Sequence, residues 1–233
     1  MYKRVLVKIS GEALAGESGK GIDFDMLDRV AEEIKDVVKE GIGISVVIGG
    51  GNFWRGKEGD LLRKTTSDYM GMLSTAINAM ALQDMLERKN IATRIQTSLH
   101  IEKISEEYNI NKTNEMIDKS YVPIFACGSG SPFFTTDTAA VLKGIETDAD
   151  IVLLAKNVDA IYDKDPNIYS DAKKYENITF QEVLENNIKA IDKTAASLCQ
   201  DNNVNVILFG IKEKGNILKA VLGEKIGTKI TNK

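Results

Sequence analysis

The stretch VVIGGGNFWRG, residues 46–56, decides the fold that we predict for this chain. Three apolar residues lead directly into three glycines, and Arg55 follows shortly after them. An apolar run that ends in glycines is typical of a buried β-strand followed by a tight turn. Glycine has no Cβ atom, so it takes positive φ and lets a ligand approach the backbone. Successive amides in such a turn bind anions, and a helix starting near Asn52 would add its N-terminal amides.

Strand-like and helix-like patterns alternate along the rest of the chain. The predicted strands cover residues 4–9, 42–48, 90–96, 121–127, 150–155, 204–210 and 227–230. The predicted helices cover residues 23–40, 67–89, 137–145 and 216–222. Asp23 is a plausible N-cap for the first of these helices, and Gly41 is a plausible residue to end it. This alternation predicts an α/β fold, a three-layer αβα sandwich around a mainly parallel central sheet.

The length and the composition restrict the classes of function. A chain of 233 residues is long enough for one large core, although two small lobes are also compatible with it. The net charge of −4 argues against a general nucleic-acid or anionic-membrane surface, so we expect neither partner. A bound polyanion would therefore have to be met locally, by a few cations and backbone amides.

The cysteines and the N-terminus indicate the cellular compartment. Cys127 and Cys199 are far apart and have no metal-ligand spacing, which suits a reducing compartment. The N-terminal run MYKRVLVKIS is too short for a signal peptide, and no stretch approaches the ~20 apolar residues of a membrane span. We therefore expect a cytoplasmic protein.

Three glycine-bearing turns follow predicted strands, at KISG (8–11), IGGG (48–51) and CGSG (127–130). Ligands of parallel α/β sheets bind outside the carboxyl ends of the strands, so these turns are expected along one edge. Taken singly, a glycine run is also compatible with a plain turn, and Lys8 or Arg55 with a surface cation. Together, the three turns and the two cations favour a site for phosphate.

Two other glycine motifs and the histidine do not support an alternative site. GESGKG (16–21) lacks the Walker A pattern because Gly21 stands where a hydroxyl is needed, so we expect a mobile loop there. GSGSPFF (128–134) fails the dinucleotide pattern at Phe133. His100 is the only histidine, which leaves Ser-His and Cys-His schemes without support and favours a surface imidazole. A metal site built from Cys and His is not expected either.

The chain resembles the bacterial uridylate (UMP) kinases of the amino-acid-kinase family over essentially its whole length. The most specific segment is SPFFTTD, residues 131–137, within 128–150. The other matching segments are 8–14, 21–34, 46–56, 68–87, 157–166 and 227–230. The resemblance implies one amino-acid-kinase domain over residues 1–233. It also implies transfer of the γ-phosphoryl group of ATP to UMP, which gives UDP for pyrimidine nucleotide biosynthesis.

The resemblance assigns the donor side of the site. Lys8 and Arg55 would stabilise charge on the transferred group. ATP would bind at Lys8, Ile9, Ser10, Gly11, Gly51, Arg55, Asn157, Tyr162 and Asp165. Magnesium is expected to bridge the ATP phosphates through water and substrate oxygens, with no metal ligands from the protein.

The acceptor side follows from the same resemblance. Asp68 matches the position that binds the ribose hydroxyls of UMP. The remaining residues expected to bind UMP are Gly50, Ser129, Gly130, Ser131, Pro132, Phe133, Phe134, Thr135 and Thr136.

Regulation and assembly are also carried over as expectations. GTP is expected as an activator and UTP as an inhibitor, although GTP activation varies among members. The loop expected to respond to GTP consists of Gly16, Glu17, Ser18, Gly19, Lys20 and Gly21. Family members commonly form hexamers, and the apolar helix 67–89 is the surface that this sequence offers for an interface.

Several positions leave alternatives open. Ala160, Ser131 and the pair Lys156-Asn157 depart from the family pattern, so the adenine-side register has an alternative one residue away. For Asp137 we favour a helix N-cap. Asp192 is compatible with an N-cap or with orienting a lysine or a metal-bound water. A kinase for an acyl acid, such as glutamate, and a nucleotide-binding protein without turnover remain alternative functions.

Overall fold

The computed structural model describes residues 2–56, 61–166 and 168–232. In this part of the chain, nine strands form one sheet in the order β4-β3-β5-β2-β1-β6-β8-β9-β7. The strands are β1 Arg4–Ile9, β2 Gly43–Ile48, β3 Thr93–Thr97, β4 Glu106–Glu107, β5 Val122–Ala126, β6 Ile151–Lys156, β7 Asn177–Thr179, β8 Val206–Gly210 and β9 Thr228–Thr231. Neighbouring strands are parallel, except that β8 and β9 are antiparallel.

Helices cover both faces of the sheet. They are α1 Gly11–Leu14, α2 Phe24–Lys39, α3 Lys64–Arg88, α4 Ile110–Asp118, α5 Thr136–Glu146, α6 Phe180–Glu185, α7 Lys193–Asn202 and α8 Asn216–Leu222. Alternate residues of β1 divide the core, because side chains of a strand point to opposite faces. Val5, Val7 and Ile9 join a cluster with α2, α3 and α8, whereas Leu6 joins one with α5, α6 and α7.

The predicted α/β sandwich is confirmed, and so is the mainly parallel sheet. Asp23 caps α2 by accepting a hydrogen bond from the Met26 N–H at 3.0 Å. Gly41 follows that helix with a φ of 73°. Met1 and Lys233, the ends of the predicted domain, lie outside the described residues. Among those residues, no helix is both long enough and apolar enough to cross a membrane.

The pattern missed the short elements α1, α4, α6, β4 and β7. Each has few residues or little regular apolar spacing, so packing rather than local pattern decides it. The helix predicted at 67–89 begins earlier, at Lys64, and ends at Arg88.

Candidate active site

The glycine turns after β1, β2 and β5 lie along one edge of the sheet, as predicted. These strands are neighbours and run parallel, so their carboxyl ends meet at the same edge. The Gly49 N–H donates to the Ile9 oxygen at 2.8 Å, which fixes the second turn beside the end of β1. The Ser10 N–H similarly donates to the Ala155 oxygen of β6 at 3.2 Å.

The positive φ that we predicted for the glycines at 49–51 is wrong, because none of the three has it. Close packing against backbone requires glycine at Gly49 and Gly50. A Cβ atom on Gly49 would lie 2.8 Å from the Gly11 nitrogen. One on Gly50 would lie 2.7 Å from the backbone oxygen of Gly71 in α3. The turn is thus pressed between α1 and α3.

No α-helix begins among residues 51–56, where we expected one to start near Asn52, and residues 57–60 lie outside the described part of the chain. Residues 51–53 form a turn, in which the Trp54 N–H donates to the Gly50 oxygen at 3.1 Å. The next α-helix of the described chain is α3, which begins at Lys64. The amides near Asn52 therefore do not have the alignment of a helix N-terminus.

Asn52 and Asn78 form a buried pair that anchors this turn. Each side-chain amide donates to the other side chain, at 2.9 Å from Asn52 and 2.7 Å from Asn78. Asn78 also donates to the Gly49 oxygen, and Asn52 to the Gly21 oxygen, both at 2.7 Å. The pair therefore connects α3, the glycine turn and the end of the loop at 16–21.

The loop at 16–21 contains more structure than the mobile loop that we expected. Residues Gly16–Ser18 form one 3-10 turn, and Glu17 to Lys20 are exposed. The Gly21 N–H donates to the Asn52 oxygen at 3.0 Å. This loop thus ends directly on the turn that carries the predicted phosphate-binding residues.

A cavity of about 500 Å³, here called the Arg55 cavity, opens beside the glycine turn. It brings together many of the residues predicted to bind UMP or stabilise charge, namely Gly50, Gly51, Arg55, Asp68, Ser129, Phe134, Thr135 and Thr136. The Arg55 guanidinium is half exposed and lies 3.0 Å from Glu12. A guanidinium held by a carboxylate in an open cavity is well placed to exchange it for a phosphate.

Asp68 is the fifth residue of α3 and lines the Arg55 cavity. Its carboxylate accepts a hydrogen bond from the Phe133 N–H at 2.8 Å and pairs with Lys64. Partial burial acts to raise the pKa of Asp68, but the Lys64 ammonium and the Phe133 amide outweigh it and hold that pKa below its usual value. Asp68 is therefore an ionised acceptor, as binding of sugar hydroxyls requires.

The loop between β5 and α5 reaches over this cavity with a strained backbone. Cys127 and Phe133 have φ of 63° and 74°, which non-glycine residues rarely adopt. The Thr75 hydroxyl of α3 accepts from the Cys127 N–H at 2.6 Å and so holds the first of them. Four predicted UMP-binding residues of this loop do not line the cavity walls, namely Gly130, Ser131, Pro132 and Phe133.

A cavity of about 1040 Å³, here called the Tyr162 cavity, lies beyond the end of β6. It contains the predicted ATP-binding residues Asn157, Tyr162 and Asp165. Seven lysines line it: Lys156, Lys164, Lys174, Lys189, Lys212, Lys219 and Lys225. Four carboxylates, Asp159, Asp163, Asp165 and Glu213, line it as well, so its walls carry three more lysines than carboxylates.

A third cavity of about 430 Å³, the Lys8 cavity, joins the other two. It shares Thr135 and Thr136 with the Arg55 cavity, and the segment 187–189 with the Tyr162 cavity. The predicted ATP-binding residues Ile9, Ser10 and Gly11 line none of the three cavities, although they directly follow Lys8 in the chain. The three cavities thus make one continuous row.

Lys8 is buried at the end of β1 and pairs with Asp137 at 2.9 Å. The N-cap role that we favoured for Asp137 is wrong, because Thr135 caps α5 by accepting from the Asp137 and Thr138 amides. Asp137 instead lies between Lys8 and Lys156, whose ammonium is 2.6 Å from its other oxygen. Burial acts to raise the pKa of Asp137, but the two ammonium groups dominate and lower it to about 2.

Asp192 is an N-cap, one of the two roles left open for it. It accepts from the Ala195 N–H at 2.9 Å, at the start of α7. The same carboxylate accepts hydrogen bonds from the hydroxyls of Thr135 and Thr138 in the α5 cap. Asp192 therefore ties the beginnings of α5 and α7 together beside the Lys8 cavity.

Sequence reasoning missed Trp54, Thr75 and Lys156 at this site. Trp54 lines the Arg55 cavity and donates to the Ser67 hydroxyl at 3.0 Å. Its position next to Arg55, in the stretch 46–56, could have indicated that it belongs to the site. Lys156 had a weaker signal, a charged residue that ends an apolar strand.

The carboxylates of the site are already committed to protein partners. Glu12 pairs with Arg55, Asp137 with two lysines, and Asp192 with two threonines. Within residues 2–56, 61–166 and 168–232, no group of three His, Cys, Asp or Glu side chains is arranged to hold a metal ion. His100 is exposed, and both cysteines are buried and free.

Comparison with known proteins agrees with this geometry. The model of the amino acid kinase family matches residues 3–210. The crystal structure of a UMP kinase from Bacillus anthracis superimposes with a TM-score of 0.96 at 36% identity, covering 99% of this chain and 96% of that one.

Two further solved structures are similar. A UMP kinase from Ureaplasma parvum has a TM-score of 0.93 at 36% identity, with 99% of both chains covered. A uridylate kinase from Archaeoglobus fulgidus has a TM-score of 0.75 at 26% identity, covering 97% of this chain and 99% of that one. The match to the family model covers eight of the nine strands described, β1 to β8, and most of the chain. The chain therefore belongs to the amino acid kinase family.

Proposed function

We propose that this protein is a UMP kinase, which transfers the γ-phosphoryl group of ATP to UMP and releases ADP and UDP. The observation that carries this proposal is the row of three cavities. A large cavity rich in lysines lies at one end, a smaller one with Arg55 and Asp68 lies at the other, and Lys8 lies between them. Two nucleotides bound end to end would meet with their phosphates at Lys8. The similar solved structures from Bacillus anthracis and Ureaplasma parvum are of UMP kinases.

On this proposal, ATP occupies the Tyr162 cavity. Tyr162 packs against the adenine, and Asn157 and Asp165 contact the nucleoside. The phosphates extend over Lys8, Ile9, Ser10 and Gly11 toward Gly51 and Arg55. Magnesium enters as part of the MgATP substrate, which suits a site whose carboxylates already have protein partners.

UMP occupies the Arg55 cavity on the same proposal. Its phosphate lies against Gly50 and Arg55, and Asp68 accepts from both ribose hydroxyls. Phe133 and Phe134, together with Ser129, Gly130, Ser131 and Pro132, would close on the uracil, while Thr135 and Thr136 read its polar edge. The Phe133 N–H already donates a hydrogen bond to Asp68, so ribose binding would be coupled to the position of this loop.

The reaction then needs no covalent intermediate. An oxygen of the UMP phosphate attacks the γ-phosphorus, and the bond between that phosphorus and the β–γ bridging oxygen breaks. The electron pair of that bond leaves with ADP. Lys8 and Arg55 stabilise the charge on the transferred group, because phosphoryl transfer depends mostly on positioning and electrostatic stabilisation.

The wider setting is proposed on the family resemblance. We take residues 1–233 as a single domain, working in the cytoplasm in pyrimidine nucleotide biosynthesis. GTP would activate through the loop Gly16 to Gly21, which contacts the glycine turn at Asn52. UTP would inhibit, and six chains would assemble into a hexamer.

A coupled assay for ADP tests this proposal, with MgATP and UMP, CMP, dUMP, glutamate or acetylglutamate offered separately. We expect rapid turnover with UMP, and the same assay with GTP added shows whether an activator is needed. Turnover with an acyl acid instead would assign the protein to another kinase of the family. Binding of UMP without turnover, with and without GTP, would indicate a regulatory or storage protein.

A further inference from the structure

Lys156 is a buried ammonium that the proposed mechanism leaves without a task. It ends β6, and its side chain is 18% exposed. Its Nζ donates to Asp137 Oδ2 at 2.6 Å and to the Ala190 backbone oxygen at 2.5 Å. No nucleotide is required for either contact, so Lys156 is held in place before any substrate binds.

The cluster of Lys8, Asp137 and Lys156 carries one more positive charge than negative. Asp137 divides its oxygens, since Oδ1 lies 2.9 Å from Lys8 and Oδ2 lies 2.6 Å from Lys156. Asp192 is a second carboxylate close enough to act on the charge of Lys156, but its oxygens accept hydrogen bonds from two threonine hydroxyls and the α7 amide. Asp137 is therefore the one carboxylate of this cluster that is ion-paired with both lysines, and each lysine has only one of its oxygens.

We propose that Lys156 is a positioning residue, which occupies one oxygen of Asp137 so that Lys8 shares this carboxylate and stays available to the donor phosphates. Without Lys156, the freed carboxylate would face Lys8 alone and the pair would be neutral. Lys8 would then be held by Asp137 rather than offered to phosphate. This inference rests on the proposed function only for the identity of the substrates.

A second contact extends the role of Lys156 to the cavity walls. Ala190 directly follows the segment 187–189, which the Tyr162 and Lys8 cavities share. The hydrogen bond from Lys156 to the Ala190 oxygen therefore ties this shared wall to the end of β6. The same ammonium thus sets both the charge and the shape of the passage between the two cavities.

Steady-state kinetics of Lys156→Met and Lys156→Arg test the proposal, with Lys143→Met as a matched control. The Lys143 side chain is buried too, with 8% exposed, pairs with Glu146 on α5 at 2.9 Å, and lines none of the three cavities. We expect Lys156→Met to lower kcat/KM for MgATP at least tenfold while the KM for UMP changes less than twofold. Lys156→Arg should recover part of the loss, and Lys143→Met should retain wild-type kinetics.

Calorimetric titration with tripolyphosphate supplies a readout that needs no turnover. The wild-type protein and Lys143→Met should bind this probe with the same affinity, and Lys156→Met should bind it at least tenfold more weakly. Equal affinities in all three proteins, or no binding by the wild type, would overturn the inference. An inactive wild type that still shows the Lys156-dependent affinity would overturn the proposed UMP kinase activity alone.

Discussion

Charged side chains at the site form ion pairs, and these pairs differ in whether a substrate phosphate can replace the carboxylate. Arg55 faces Glu12 in an open cavity, so a phosphate can replace the carboxylate. Asp137 lies between two buried ammonium groups and is not free to leave them. The first pair is thus suited to binding and the second to holding the site in shape.

Replacement of Arg55 by lysine should damage catalysis although the charge is kept. A guanidinium presents a planar fork to phosphate oxygens, whereas an ammonium is a point charge. We expect Arg55→Lys to lower kcat at least tenfold in the ADP assay. Arg88→Lys, at the exposed end of α3 where Arg88 pairs with Asp84, is the control and should leave kcat unchanged. Wild-type turnover in Arg55→Lys would remove Arg55 from its proposed role.

Protonation of Asp137 in acid should remove its contribution to the stability of the fold. Its pKa in the folded chain is about 2, below the ordinary value of 3.8, so its contribution is complete above pH 4. That contribution is lost as the pH falls from about 4 to about 2, and the shift corresponds to about 2 kcal/mol.

Urea unfolding of the wild type and Asp137→Asn over this pH range measures the effect. The difference in unfolding free energy between the two proteins should shrink as the pH falls toward 2. Asp84→Asn, which alters an exposed ion pair, controls for the titration of surface carboxylates. A difference that stays constant with pH would mean that Asp137 does not titrate as stated.

Two glycines lie at the contact between α3 and the turn that follows β2, but the packing requires only one of them. Gly50 and Gly71 face each other so closely that a Cβ atom on Gly50 would lie 2.7 Å from the Gly71 oxygen. A Cβ atom on Gly71 would meet only Trp54, at 3.9 Å. This contact therefore tolerates a methyl group on Gly71 and excludes one on Gly50.

Thermal and urea unfolding of Gly50→Ala and Gly71→Ala should separate these two positions. We expect Gly50→Ala to destabilise the fold by about 1–3 kcal/mol, because backbone must move. Gly71→Ala should stabilise it by about 0.5–1 kcal/mol, since alanine suits a helix interior better than glycine. Equal effects of the two substitutions would contradict the packing described for this turn.

The surface of the whole molecule carries an apolar stripe along α3, separate from the buried core. Tyr69, Leu73, Ile77 and Met80 recur at helical spacing on one face, and each is between 43% and 50% exposed. Four large apolar side chains aligned in this way are typical of a surface that another chain covers. The stripe is the natural contact for the proposed hexamer.

Analytical ultracentrifugation of the wild type and of Ile77→Glu tests this use of the stripe. The wild type should sediment with the mass of six chains, and the charged variant should sediment as a smaller species. Gln200→Glu adds the same charge on α7, which packs in the other core cluster, and should leave the mass unchanged. A monomeric wild type would contradict the assembly, whatever the variants do.

Local patterns predicted much of this molecule because they carry local physical information. Apolar runs and helical spacing were sufficient for the strands and long helices, and the prediction that the three glycine turns share one edge of the sheet is confirmed. Short elements such as α6 were not predicted, because a few residues are too short to show a regular apolar spacing. The functional assignments of single residues stay predictions until the assays above are made.

Local sequence patterns were enough to predict the alternation of strands and helices, the parallel sheet with its edge of glycine turns, and Lys8 and Arg55 as candidate cations. Only the folded chain shows that Asp137 lies between Lys8 and Lys156, and that Gly49 and Gly50 serve close packing rather than positive φ. The physical reason is that periodicity records which face of an element is buried. Contacts between distant elements depend on strand order and register, which no local pattern encodes.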